Sequence, residues 1–250
     1  MMSLSPHADG RTTMSMKSIR AIIYDAGRTL VRPRPQTRDV WDFLARRLRV
    51  DLARDREFPD VGQFYRARLG KDGLGAYDSD ERTRSFWSAY YVQALLDAGI
   101  DLPREELIAA GEELSEWYTQ PEQWEPYPEV LEALERAHNR GLRQGVVSDW
   151  GTDLVPLLDA HDVTRHLDFV VASAAVGAAK PHPDIFHLAL ARAELKPADV
   201  IYVGDSYLSD VLGARAVGIE PILLDRDGDA PEVDCPVVSS LLEVLDLLEP

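Results

Sequence analysis

Two aspartates end the run Ile201-Tyr202-Val203-Gly204-Asp205-Ser206-Tyr207-Leu208-Ser209-Asp210. An apolar triplet running into Gly-Asp reads as a buried parallel strand that stops in a loop. Carboxylates at the carboxyl end of such a strand, where open α/β sheets bind ligands, can hold a hard cation such as Mg²⁺. An Asp turn followed by an Asp N-cap has the same spelling, so this pair gains meaning only beside the other strand ends. Those ends carry Asp25-Ala26-Gly27-Arg28-Thr29-Leu30, then Val147-Ser148-Asp149, then the loop Gly177-Ala178-Ala179-Lys180-Pro181. An aspartate nucleophile can form an aspartyl-phosphate. A hydroxyl that donates a hydrogen bond, and a lysine with a cation that neutralise charge, complete a kit for phosphoryl transfer.

The elements that must position these groups alternate. Strands are predicted over 19–24, 143–148, 168–172, 200–203 and 221–224, and helices over 152–160, 183–193, 209–217 and 239–248. Strand alternating with helix predicts an α/β fold, a Rossmann-like doubly wound parallel sheet. Residues 34–124 break the rhythm and show no strand pattern. Helices are predicted there over 37–49, 60–69 and 103–118. A further one starts at an Asp78/Glu81 capping box, carries Phe86, Trp87, Tyr90, Tyr91, Ala94 and Leu95 at helical spacing, and ends at Gly99. The Pro-rich segments 32–35 and 121–128 read as linkers. The expected organisation is therefore a disordered tail over 1–17, a core over 18–33 and 125–250, and an inserted helical unit over 34–124. Trp41, Trp87, Trp117 and Trp124 are expected in the insertion's own core, whereas Trp150 falls two residues after Ser148, where ligand loops sit.

The formal net charge of −16 is the wrong sign for general nucleic-acid binding. The first 75 residues are nonetheless net basic, and Arg28, Arg32, Arg34 and Arg38 follow the first strand. They form either a solvated basic loop or a field that draws in an anionic substrate. Arg28, Arg32 and Trp150 are accordingly candidate substrate contacts. The lone cysteine, Cys235, allows no internal disulfide and favours a reducing, cytoplasmic setting. No apolar run reaches membrane-spanning length, and the N-terminal residues lack a signal peptide's apolar stretch. The pairs His161/His166 and His182/His187 are off a common helix face, so capping or surface roles are expected.

In order and spacing these motifs resemble the haloacid dehalogenase-like hydrolases, over about residues 19–31 and 126–225. The insertion between the first two motifs looks like that family's helical cap, and the resemblance implies a sheet order with the first strand central and Asp25 and Asp205 on neighbouring strands. The resemblance implies that Asp25 is the nucleophile, and that Ser148, Asp149 and Lys180 bind phosphate, Lys180 also serving catalysis. It further implies a Mg²⁺ site of Asp25, Asp205, Asp210 and the backbone carbonyl of Gly27. The implied activity is Mg²⁺-dependent hydrolysis of a small phosphorylated metabolite through an aspartyl-phosphate, by a monomer or homodimer without nucleic-acid or membrane partners. One position departs. Phosphatases of this family carry a second aspartate two residues after the nucleophile, which protonates the leaving group and then activates water. Here that position is Gly27, and the glycine usual after it is Arg28, which would crowd a restored aspartate. The alternative is a catalytically impaired member that binds a phosphorylated ligand or partner. A 2-haloacid dehalogenase is disfavoured, because such members usually have an aromatic residue at Gly27's position and lack the Gly-Asp-x4-Asp pair.

Overall fold

Alternate residues of the first strand, β1 (Ala21–Tyr24), go to opposite faces, Ala21 and Ile23 to one and Ile22 and Tyr24 to the other. A strand buried on both faces must lie inside a doubly covered sheet. In a computed structural model that describes residues 19–72 and 76–248, the sheet order is β5-β4-β1-β6-β7-β8. Its strands are β4 (Arg143–Ser148), β5 (Phe169–Ala172), β6 (Val200–Gly204), β7 (Glu220–Leu224) and β8 (Val237–Val238). Every pairing is parallel, and β1 lies between β4 and β6. The carboxyl ends bearing Asp25, Ser148 and Asp205 therefore share one rim. The expected tail lies outside the described residues.

One face is covered by α5 (Val130–Asn139), α6 (Leu154–Ala160) and α10 (Leu241–Leu247). The other is covered by α8 (Pro183–Ala193) and α9 (Leu212–Ala216), with the short α7 (Ser173–Val176) after β5. α5 occupies a stretch for which the alternation offers no element, although Val130, Ala133, Leu134 and Ala137 mark its buried face at helical spacing. α9 begins later than the expected helix. A wider π-helical turn over Tyr207–Val211 precedes it, and such turns recur at functional sites.

The insertion folds as α1 (Thr37–Leu48), α2 (Val61–Asp72), α3 (Asp80–Asp97) and α4 (Arg104–Tyr118) around Trp41, Leu44, Leu95, Leu107 and Leu114. Trp41 stacks on Phe58 with ring centroids 4.4 Å apart. Two expectations are corrected. The N-cap of α3 is Ser79, whose hydroxyl accepts the Arg82 N–H, while Asp78 pairs with the Arg82 guanidinium. The two linkers are also not coil: β2 (Val31–Pro33) and β3 (Trp124–Pro126) pair as an antiparallel ribbon. Arg32 bonds Glu125 across it and Arg34 donates to the Trp124 carbonyl, so a local charge pattern becomes the clasp at the insertion's base. A second tie joins the far side. Both oxygens of Asp80 accept from Thr152, at 2.7 Å each, and the Ser173 hydroxyl donates to the Tyr77 carbonyl at 2.5 Å.

Candidate active site

Lys180 and Asp210 are charged, yet they are only 4% and 1% exposed. Such burial is tolerated when each charge is paired and hydrogen-bonded. The Lys180 ammonium has three donors and three acceptors: Asp25 Oδ1 at 2.7 Å, Asp210 Oδ1 at 2.5 Å and the Tyr202 hydroxyl at 3.2 Å. Burial alone would lower its pKa, but the charges of Asp210 and Asp25 outweigh that and hold it well above the usual range. The Ser148 hydroxyl donates to Asp25 Oδ1 at 2.8 Å. One oxygen of Asp25 is thus fixed from two sides, while Oδ2 takes no hydrogen bond among the described residues.

Asp210 reaches the cluster because the π-helical turn folds back on Ser206, whose backbone N–H donates to Asp210 Oδ2 at 2.9 Å. Gly204 makes room for it, since a Cβ there would stand 2.3 Å from Asp210 Cγ. Gly204→Ala is expected to cost about 1–3 kcal/mol of stability by overpacking. It should also displace Asp210 from Lys180; thermal unfolding and a phosphate-release assay check both effects.

The carboxylates of Asp25, Asp205 and Asp210 offer oxygens that all lie within 4.8 Å of one another. Burial, and then the charges of Asp25 and Asp210, push Asp205 up to about 7. Among the described residues, Lys180 and Arg28 are the cations paired with the three carboxylates, Arg28 Nε lying 3.1 Å from Asp205 Oδ2. An oxygen donor set short of positive charge suits a hard divalent cation, so these residues fit the implied metal.

Asp149 stands differently. Its Oδ1 accepts the backbone N–H of Lys180 at 2.8 Å, which anchors the lysine's loop to the end of β4. Burial, against the opposing pull of Lys180, pushes its carboxyl up to about 7. Between the ordinary carboxylate value near 4 and pH 7, the folded chain then keeps a proton that the unfolded chain has released. Stability contributed by this group is therefore full below that window and is lost as pH rises through 7. Asp149→Asn should make the variant more stable than the native chain at pH 8 but not at pH 4. The gain should be about 1–3 kcal/mol, below the ~4 kcal/mol of a full three-unit shift because surroundings relax around the charge. Denaturant melts at the two pH values measure the difference.

Arg28 does not crowd Gly27. It adopts a left-handed conformation (φ 57°) and turns to Asp205 and Asp227. The crowding comes from Trp150 instead: a Cβ on Gly27 would lie 3.1 Å from Trp150 Cζ3. Trp150 is held by its backbone N–H to Ser173 Oγ, its indole N–H to Asp153 and an edge contact with Trp124 at 4.6 Å. Arg32 is not in the cluster, because its guanidinium is engaged by Glu125 on the ribbon. His182 caps α8, accepting the Asp184 N–H.

Three contributors were not singled out by the motifs. Tyr202 lies in the apolar run before Gly204, and its only signal was a hydroxyl-bearing ring in a strand otherwise free of polar groups. Arg226 donates to the carbonyls of Arg28 and Thr29 and lies 3.6 Å over the Tyr127 ring, fixing the loop after β1. Asp80 ties the insertion to the loop after Ser148.

A family model for haloacid dehalogenase-like hydrolases matches residues 19–218. The chain is 35% identical over 176 residues to the mouse (Mus musculus) "Haloacid dehalogenase-like hydrolase domain-containing protein 3", covering 67% of this chain and 70% of that protein. It is 34% identical over 181 residues to a phosphoserine phosphatase of Thermus thermophilus, covering 72% and 68%. Among solved structures, a HAD phosphatase from Thermococcus onnurineus superposes with a TM-score of 0.64 at 25% identity, over 92% of this chain and 98% of that one.

Proposed function

The chain belongs to the haloacid dehalogenase-like hydrolases, and we propose that within this family it is a Mg²⁺-dependent phosphatase acting on a small phosphorylated metabolite through an aspartyl-phosphate on Asp25. The observation that carries the reading is the fixing of Asp25. Ser148 and Lys180 bind one of its carboxylate oxygens, and the other has no hydrogen-bond partner among the described residues. A carboxylate held in this way is a prepositioned nucleophile. Asp25 Oδ2 attacks phosphorus, the bond to the leaving oxygen breaks, and the phosphoryl group passes to Asp25. In this reading Ser148 and Lys180, both already at Asp25, turn donors to the incoming phosphoryl oxygens. Asp149 acts through the loop that carries Lys180. Asp25, Asp205 and the Gly27 carbonyl would hold Mg²⁺, with Asp210 behind them. When bound, the cation supplies positive charge against the phosphoryl oxygens.

Helices α1–α4 act as a cap over the rim, and closure excludes water from the charges inside. The Asp80–Thr152 tie and Trp150 stand at its boundary with the core. Arg28, on the rim and paired with Asp205 and Asp227, is the cation we assign to an anionic substrate that reaches Asp205. No helix among the described residues is long and apolar enough to cross a membrane. A lone cysteine agrees with a cytoplasmic setting, and we place the chain there as a monomer or homodimer. Attack on carbon, as in dehalogenation, gives the carboxylate trio no task.

The deciding experiment is a screen of phosphorylated metabolites with Mg²⁺ beside an Asp25→Asn control. Release of phosphate by the native chain alone, abolished by a chelator, is expected. If no compound is turned over while one raises the melting temperature, the chain is a binder instead.

A further inference from the structure

The two halves of the proposed reaction depend unequally on the residue that Gly27 replaces. In the first half a leaving oxygen departs from phosphorus. An acyl or aryl oxygen is stable as an anion and leaves without a proton. In the second half water attacks the phosphoryl group, the bond to Asp25 breaks, and water's proton must go to a base. No choice of substrate relieves that step, because the nucleophile is always water. Loss of one acid–base group therefore retards release even when formation is spared.

Among the described residues, no replacement base stands against Gly27. Trp150 fills it, and its single polar atom donates to Asp153 at 3.1 Å. The ring presents carbon alone toward Gly27. Four ties hold the residue there: the contacts of its backbone N–H, carbonyl and indole N–H, and its packing on Trp124. Among the described residues, the carboxylates and the imidazole around the site each have a partner. Asp210 is bound by Lys180 and the Ser206 N–H, Asp205 by Arg28, Asp149 by the Lys180 N–H, and His182 by the first turn of α8.

Resting on the phosphatase reading, we infer that the aspartyl-phosphate on Asp25 is long-lived, so that with activated donors the chain accumulates in the phosphorylated form and acts as a slow-releasing phosphoryl carrier. The donor class is acyl or aryl phosphates. Formation breaks the donor P–O bond and frees a carboxylate or phenolate; release consumes one water and regenerates the Asp25 carboxylate.

The test mixes native chain, Mg²⁺ and acetyl phosphate, quenches in acid, and follows intact mass and acetate. A single phosphoryl group per chain is expected to dominate at steady state, after a burst of about one acetate per chain. Asp25→Asn should show neither. Gly27→Asp/Trp150→Ala should shorten the phosphorylated lifetime by about 10²–10⁴-fold, the usual contribution of a general base. Trp150→Ala alone supplies no base and should shorten it far less than the double variant does. The inference is overturned if acetate appears steadily, without a burst and with no phosphorylated chain. It is also overturned if Trp150→Ala alone matches the double variant, or if the native lifetime is short and Asp149→Asn lengthens it. No label and no release from acetyl, aryl or alkyl phosphates alike would remove the phosphatase reading itself, an outcome distinct from turnover without accumulation.

Discussion

Lys180→Met should cost about 3–5 kcal/mol of stability, the usual cost of breaking a buried ion pair from one side. For a chain of this size that corresponds to a melting temperature lower by roughly 6–20 °C. The reason is local. The ammonium is shared by Asp25, Asp210 and Tyr202, and methionine, similar in length, fills the space without offering a donor. Two carboxylates then stay buried with less positive charge. Burial already raises the Asp210 carboxyl, and as pH falls it takes up a proton, so the deficit should be large at pH 8 and smaller near pH 5. Lys180→Met/Asp210→Asn should recover part of the loss, because it removes one of the stranded charges. A melting temperature within about 2 °C of native at pH 8 would show that the lysine is not the charge partner described here.

The second large effect is a spread between substrates. With no side chain at Gly27 to protonate the leaving oxygen, aryl and acyl phosphates should exceed alkyl esters in kcat/KM by about 10²–10⁴-fold more than their intrinsic reactivity accounts for. Gly27→Asp alone should recover little of this. Its Cβ would press on Trp150 Cζ3 at 3.1 Å, and that ring is tied on several sides. Gly27→Asp/Trp150→Ala should raise alkyl turnover, whereas Gly27→Asp/Arg28→Gly should not, since Arg28 points toward Asp205 and Asp227. Ordinary alkyl turnover of about 1–10³ s⁻¹ by the native chain would falsify the account of Gly27.

The sequence by itself determined the rim. Apolar runs ending in Asp25, Ser148 and Gly204-Asp205 are strands buried on both faces, and parallel strands bring their carboxyl ends to one edge. That logic needs only period and order; the neighbouring of Asp25 and Asp205 came from the family resemblance, and the pairing of β1 with β6 realises it. Helix punctuation was similarly local. Gly99 and Gly218 take positive φ after α3 and α9 because helix ends there need the left-handed conformation. The tertiary structure decided which neighbour fills each space. Trp150 beside Gly27, Tyr202 beneath Lys180, Arg226 behind the loop after β1, and Asp80 on Thr152 each join segments far apart in the chain. Side-chain volumes and loop paths fix such pairs, and no repeat in the sequence records them. The same holds for Arg32 and Arg34. As a run of charge they look free to meet a ligand, and only the pairing of β2 with β3 commits them to Glu125 and the Trp124 carbonyl.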